Sequence, residues 1–229
     1  MSQIPLSLIL PQQSEVTDFF VTGANALAYG WLQTWPNWPA PYQSINIYGP
    51  KGCGKTHLSS LYQQKSKSCL ITSLSIFDRD DFGAFDSFVC EDVSTSHIWD
   101  EEALFHLLNY LAETGKTCFF TSQVALSQMD WQLPDLKSRM RSLPSQTVEL
   151  PDDELLLTLL DSYFQKRQIQ VAEPTLRYIL SRIERSYEAL TDIVQQVDKL
   201  SLAEKRAVTT SLIRRLFENK ESHREIDNG

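Results

Sequence analysis

The chain has 229 residues, 42% of them hydrophobic, which is enough for one α/β domain and a small appendage around a sizeable core. Acids outnumber lysines and arginines by 29 to 21, and the net charge of −8 sets up a field that repels phosphate backbones, so strong direct DNA binding is not expected. No apolar run reaches the roughly eighteen residues of a bilayer span, and the first residues lack a basic-then-apolar leader, so a cytoplasmic protein without membrane contact is expected.

In chain order, residues 1–15 carry two prolines and no helical period, which predicts an extended, flexible arm. DFFVTGANALAYGWLQTW, from Asp18, predicts a turn at Gly23 and then a helix. The proline-rich loop that follows should pack on the domain through Trp31, Trp35 and Trp38. SINIYGP reads as a buried strand, Lys55 to about Gln64 as a helix, SCLIT from Ser68 as a second strand and Phe85–Val93 as a third. DEEALFHLLNYLAETGK has acids in its first turn and Gly115 after its last, a capped helix, and TCFFTS is a fourth strand. Strands alternating with helices predict a parallel α/β sheet that binds its ligand at the carboxyl ends of the strands. From Pro151 the pattern becomes almost wholly helical, with Pro174 suited to a first turn. The expected organisation is an arm (1–15), an α/β domain (16–150), a small helical domain (151–218) and a fraying polar tail (219–229).

The four cysteines, Cys53, Cys69, Cys90 and Cys118, make no CxxC pair, and most lie in or beside apolar runs, so reduced, buried thiols are expected. His57, His97, His106 and His223 show no metal-ligand spacing.

GPKGCGKTHL carries the chemistry. Gly49, Gly52, Gly54, Lys55 and Thr56 fit GxxxxGK[ST] between an apolar strand and a helix. Glycines let backbone N–H groups approach phosphate oxygens, Lys55 meets the β and γ charges, and the Thr56 hydroxyl can ligand Mg²⁺. Cys53 and His57 complete the expected cradle for ADP or ATP. The apolar strand FVCEDV ends in Glu91 and Asp92, where a carboxylate holds the magnesium side of the nucleotide or polarises the attacking water. Thr121, Ser122 and Gln123 end the next strand, where a γ-phosphate could be sensed, although helix capping explains them equally well.

The order of these pieces, followed by LPDLKSRM, resembles the AAA+ ATPases and, within them, the DnaA/Hda group, closest to its Hda branch of regulatory inactivators. The likeness runs from about Asp18 to Phe217 and implies a sheet domain followed by a helical lid. It implies that Arg139 is an arginine finger acting in trans, because a guanidinium stays charged and can neutralise a transferring phosphoryl group in a neighbouring subunit. It also implies that QIPLSL, with Gln3, Ile4, Leu6 and Leu8, docks on the β sliding clamp, a glutamine amide and spaced aliphatics filling a groove. Three departures stand out. Glu91 replaces an aspartate, Glu188 falls where a lid arginine would touch phosphates unless Arg182 or Arg185 substitutes, and the interval from Lys55 to Asp92 is short for an initiator. No helix-turn-helix pattern follows the lid. The implied function is negative regulation of replication initiation: nucleotide, ADP in the first instance, sets the angle between sheet domain and lid, intrinsic ATPase is weak or absent, and hydrolysis is stimulated on DnaA. An autonomous ATPase or loader, and a binding module without a finger, remain alternatives. Self-association is left open.

Overall fold

The structure is a computed structural model and describes residues 8–9, 21–74, 78–96, 98–204 and 208–227. The chain divides into two compact units, Met1–Glu149 and Leu150–Gly229.

The first unit holds strands β1 (Leu8–Ile9), β2 (Ser44–Tyr48), β3 (Cys69–Ile71), β4 (Ser87–Cys90), β5 (Thr117–Ser122) and β6 (Ser145–Thr147), with helices α1 (Ala26–Thr34), α2 (Lys55–Ser66), α3 (Arg79–Gly83), α4 (Glu101–Thr114) and α5 (Pro134–Ser142). The strands form one sheet in the order β1-β3-β4-β5-β2-β6. Five strands run parallel, and β1 pairs antiparallel with β3 at one edge. Every residue of β4 and β5 is buried, as expected of parallel strands covered on both faces.

Alternation along the strands divides the core between the two faces. Phe88, Cys90, Cys118 and Phe120 join Leu104, Leu107 and Leu136 on the side of α4 and α5. Val89 and Phe119 join Ile45, Ile47, Leu58 and Tyr62 on the side of α1 and α2. The tryptophan loop closes this second face as expected. Trp38 stacks on Tyr62 at 5.3 Å, Trp35 meets the same ring edge-on at 6.0 Å, and the Trp35 indole N–H donates to Thr117 Oγ1 at 3.0 Å.

The second unit is helical: α6 (Asp153–Lys166), α7 (Glu173–Leu180), α8 (Tyr187–Glu204) and α9 (Thr210–Asp227). Asp152 caps α6 by accepting from the Leu155 N–H at 2.8 Å, and Pro174 occupies the first turn of α7. Leu156, Leu159 and Leu160 of α6 and Ile193, Val194 and Val197 of α8 are buried.

Some elements differ from the sequence expectation. The segment read as a free arm contributes β1, whose Leu8 and Ile9 pair with Ile71 and Leu70. β6 and the short α3 were not foreseen. The polar tail expected to fray continues α9 through Asp227. No helix among the described residues is long and apolar enough to cross a membrane.

Candidate functional site

The strand order reverses at β2, which lies between β5 and β6, and the loop leaving its carboxyl end is Gly49–Gly54. Gly49 is buried, and a Cβ there would run into the Val148 carbonyl oxygen, so only glycine lets β2 pass β6 at this point. Gly52 and Gly54 have φ of 82° and 101°, a left-handed backbone that curls the loop into a concave turn. Gly54 then caps α2 without any side-chain hydrogen bond, so the orphan N–H groups of the first helical turn are left to an anion. These features fit a nucleotide's phosphates. Lys55 Nζ donates to the carbonyls of Gly49 at 2.8 Å and Pro50 at 3.0 Å, which holds the ammonium against the loop. Cys53 is buried beneath it, and burial pushes its thiol pKa up. Thr56 is exposed and His57 half-buried on the first turn of α2.

The two acids after β4 have different environments. Glu91 is half-buried and accepts a short hydrogen bond from Ser59 Oγ, one turn beyond Thr56 on α2. Burial raises the Glu91 pKa and the charge of Asp92 adds to the rise, while the Ser59 hydrogen bond and Lys55 oppose it. Asp92 is exposed and has φ of 54°, a left-handed conformation that aspartate tolerates better than most residues. Its N–H donates to Thr121 Oγ1 at 2.9 Å, and the Val93 N–H donates to the Thr121 carbonyl at 2.8 Å. Asp92 faces a cavity of about 410 Å³ shared with Gln123, Val124, Met129 and Asp130.

Ser122 is fully buried. Its hydroxyl accepts from Asn46 Nδ2 at 2.8 Å and donates to the Val124 carbonyl at 2.7 Å, and Asn46 Oδ1 accepts from the Leu126 N–H at 3.0 Å. Ser122 therefore belongs to a knot joining β2 to the chain after β5, and Gln123 is the exposed member of that strand end. Among the described residues no three His, Cys, Asp or Glu side chains come together as a metal set. A magnesium ion would therefore draw on Thr56, Glu91 or Asp92 and the nucleotide's own oxygens.

Arg139 lies in the last turn of α5, half-exposed. Its guanidinium sits 4.4 Å from the Phe105 ring centroid and 5.9 Å from that of Tyr42, and it donates to Tyr42 Oη at 3.3 Å. It forms no ion pair with a described carboxylate. In the helical unit Arg185 pairs with Asp153 at 2.9 Å, Arg182 lies over the Tyr178 ring, and Glu188 falls in the first turn of α8. Of the clamp-peptide residues, Gln3, Ile4 and Leu6 lie outside the described residues, and Leu8 opens β1.

Sequence reasoning missed Ser59, Asn46, Tyr42 and Phe105. Ser59 had one local signal, its place three residues after Thr56 on the helix that begins at the phosphate loop.

A parallel sheet with a glycine-rich phosphate loop at its switch point, an acid-ended strand and a separate helical unit defines a P-loop protein of the AAA+ class. Residues 152–217 match the family model described as Hda, lid domain. The chain is 25% identical over 200 residues to the chromosomal replication initiator protein DnaA of Flavobacterium psychrophilum, covering 77% of this chain and 42% of the initiator. Among solved structures it is similar to domain III of the Thermotoga maritima replication initiation protein DnaA, with TM-score 0.70, 19% identity, and 88% of this chain and 94% of that one covered. It is also similar to AMPPCP-bound DnaA from Aquifex aeolicus, with TM-score 0.67, 20% identity, and 89% and 68% covered. The lid match and these likenesses make the chain similar to the DnaA/Hda group of AAA+ proteins.

Proposed function

We propose that the chain is an Hda-like negative regulator of replication initiation, which binds an adenine nucleotide, in the first instance ADP, and stimulates hydrolysis of ATP held by DnaA. The observation that carries this reading is the Hda-lid match over residues 152–217 on a chain whose sheet unit has a complete phosphate loop. Gly49, Gly52, Gly54, Lys55 and Thr56 would hold the nucleotide phosphates, with Cys53 and His57 in the same cradle. Bound nucleotide supplies the anion that fills the loop and the first turn of α2.

Two features support weak hydrolysis in cis. Glu91 is tied to Ser59 and kept less acidic by burial, so it is a poor magnesium-side carboxylate, and Glu188 puts a negative charge where the group's lid arginine is expected. Arg139 supports action in trans. Its charge is not cancelled by a described carboxylate, and its aromatic seat presents a planar donor set from the outer helix α5. The clamp peptide of Gln3, Ile4, Leu6 and Leu8 would bring the protein to loaded β clamps.

The test is ATP loss from purified DnaA, with and without this protein and a DNA-loaded clamp. Accelerated loss that requires both additions is expected. If phosphate is instead released at the same rate by the protein alone, it is an autonomous ATPase. If ATP loss is unchanged while binding persists, it is a binding module.

A further inference from the structure

The helical unit has a cavity of about 320 Å³ between α7 and α9, lined by Tyr178, Arg182, Arg214, Phe217 and Glu218. The two rings stand at 70° with centroids 6.5 Å apart, and the Arg182 guanidinium lies 5.4 Å from the Tyr178 ring centroid. In a chain with eight more acids than bases, a surface arginine has carboxylates within easy reach. In this same unit Arg167 pairs with Asp198, Arg177 with Glu173 and Arg185 with Asp153. Arg182 and Arg214 pair with no described carboxylate, and they share one cavity.

We infer that this cavity is a second ligand site, distinct from the phosphate loop, that takes one nucleotide unit: a phosphate beside a planar base. Two guanidiniums provide the forked donors that match phosphate oxygens. Half-buried Tyr178 and Phe217 provide ring surface on which a base of any identity can stack. Glu218 also lines the cavity, and its carboxylate disfavours a bare anion and favours a ligand that adds stacking to charge. The overall charge of −8 makes the contact weak, and a single phosphate contact makes it modestly salt-dependent. The unit could come from a single-stranded nucleic acid or from a free nucleotide.

The test uses the full chain with saturating ADP and a fluorescein-labelled twelve-residue thymidine strand, read by anisotropy at low salt. Wild type should bind with a log–log salt slope of about −0.7, the value for one neutralised phosphate on a single strand. The paired substitution Arg182→Ala with Arg214→Ala should weaken binding by about tenfold or more. Phe217→Leu should weaken it by a similar factor, about tenfold, through lost stacking, with the salt slope unchanged. Both arginines are exposed, so thermal unfolding of the arginine variant should match wild type. In a Lys55→Ala background, millimolar ADP that displaces the strand assigns the site to free nucleotide, and failure to displace it assigns the site to a strand. Equal strand affinity in the arginine variant overturns the inference. So does an equally charged glutamate-rich peptide that binds wild type as well as the strand does. These outcomes do not depend on DnaA or on the clamp, so they stand apart from the regulator reading.

Discussion

The Glu91 carboxylate is half-buried at the end of β4 and held by the Ser59 hydroxyl, and burial raises its pKa above the ordinary carboxylate value. With the folded value above the unfolded one, the native state binds more protons in the interval between them, so stability falls as pH rises from about 4.3 towards the folded value. Glu91→Gln keeps an oxygen for Ser59 and removes the ionisation. The stability of this variant relative to wild type should therefore grow between pH 4 and pH 7, as measured by calorimetric midpoints, and a constant or shrinking difference would show that burial does not penalise the charge. Arg139 lies half-exposed, its guanidinium set against aromatic faces. Arg139→Ala should leave nucleotide and clamp affinity within a few fold of wild type and lower stimulated ATP loss on DnaA by roughly 10³-fold. Lysine should rescue little, because it lacks the planar fork. Normal stimulation by the alanine variant would remove the finger from the proposal.

At the scale of elements, α4 shows how a cap far from the phosphates organises the site's surroundings. Asp100 Oδ1 accepts from the Ala103 N–H at 2.9 Å, and Glu101 reaches across to accept from the N–H groups of Gln132 at 3.0 Å and Leu133 at 2.6 Å, just before α5. The start of α4 thus fixes the start of the helix that carries Arg139. Asp100→Ala should cost about 1 kcal/mol, a midpoint shift of about 2–4 °C for a protein of this size, with nucleotide affinity unchanged; a loss of nucleotide binding would mean that α4 supports the loop directly. This helix, like β2, the phosphate loop and β5, was legible in the sequence because its signals are local: acids, spaced leucines and Gly115 at the left-handed cap. β1, β6 and α3 were not legible, since two to five residues carry no periodicity and β6 exists only because β2 offers it an edge. The same distinction separates the site residues. Gly49 to Thr56 are contiguous, whereas Ser59 with Glu91, and Arg139 with Tyr42 and Phe105, meet only once the chain has folded. Ser122 had the right position for a sensor, but its direction could not be read, and the hydroxyl turns inward to Asn46.

At the scale of the whole molecule, the two units differ in one chemical respect that pH can expose. All four cysteines lie in the sheet unit, free and buried, and the helical unit has none. Cys118 lies 3.6 Å from Cys90, sulfur to sulfur, and its thiol pKa is raised by burial and by that neighbour. Burial and the Cys90 charge push the Cys69 thiol up to about 11, and burial raises Tyr62 as well. For each such acid the folded state resists deprotonation that the unfolded chain allows. For the thiols this stabilising contribution is complete below the unfolded value of about 8.5, and for Tyr62 below about 10, and it is lost as pH rises from there towards the folded value. Each group adds a slope of about 1.4 kcal/mol per pH unit within its own interval, so several thiols acting together steepen the fall. Heating the full chain at pH 7 and again at pH 10 should therefore lower the midpoint of the sheet unit, followed by the near-ultraviolet signal of its tryptophans, all five of which lie before residue 150. The helical unit, followed by the methyl NMR signals of its buried Leu156, Ile193 and Val194, should move much less. Replacing Cys69 and Cys118 by valine or alanine should flatten the alkaline loss of the first unit. If both units lose stability in parallel, or the doubly substituted sheet unit loses it just as steeply, the Cys69 and Cys118 thiols are not what limits this fold at high pH.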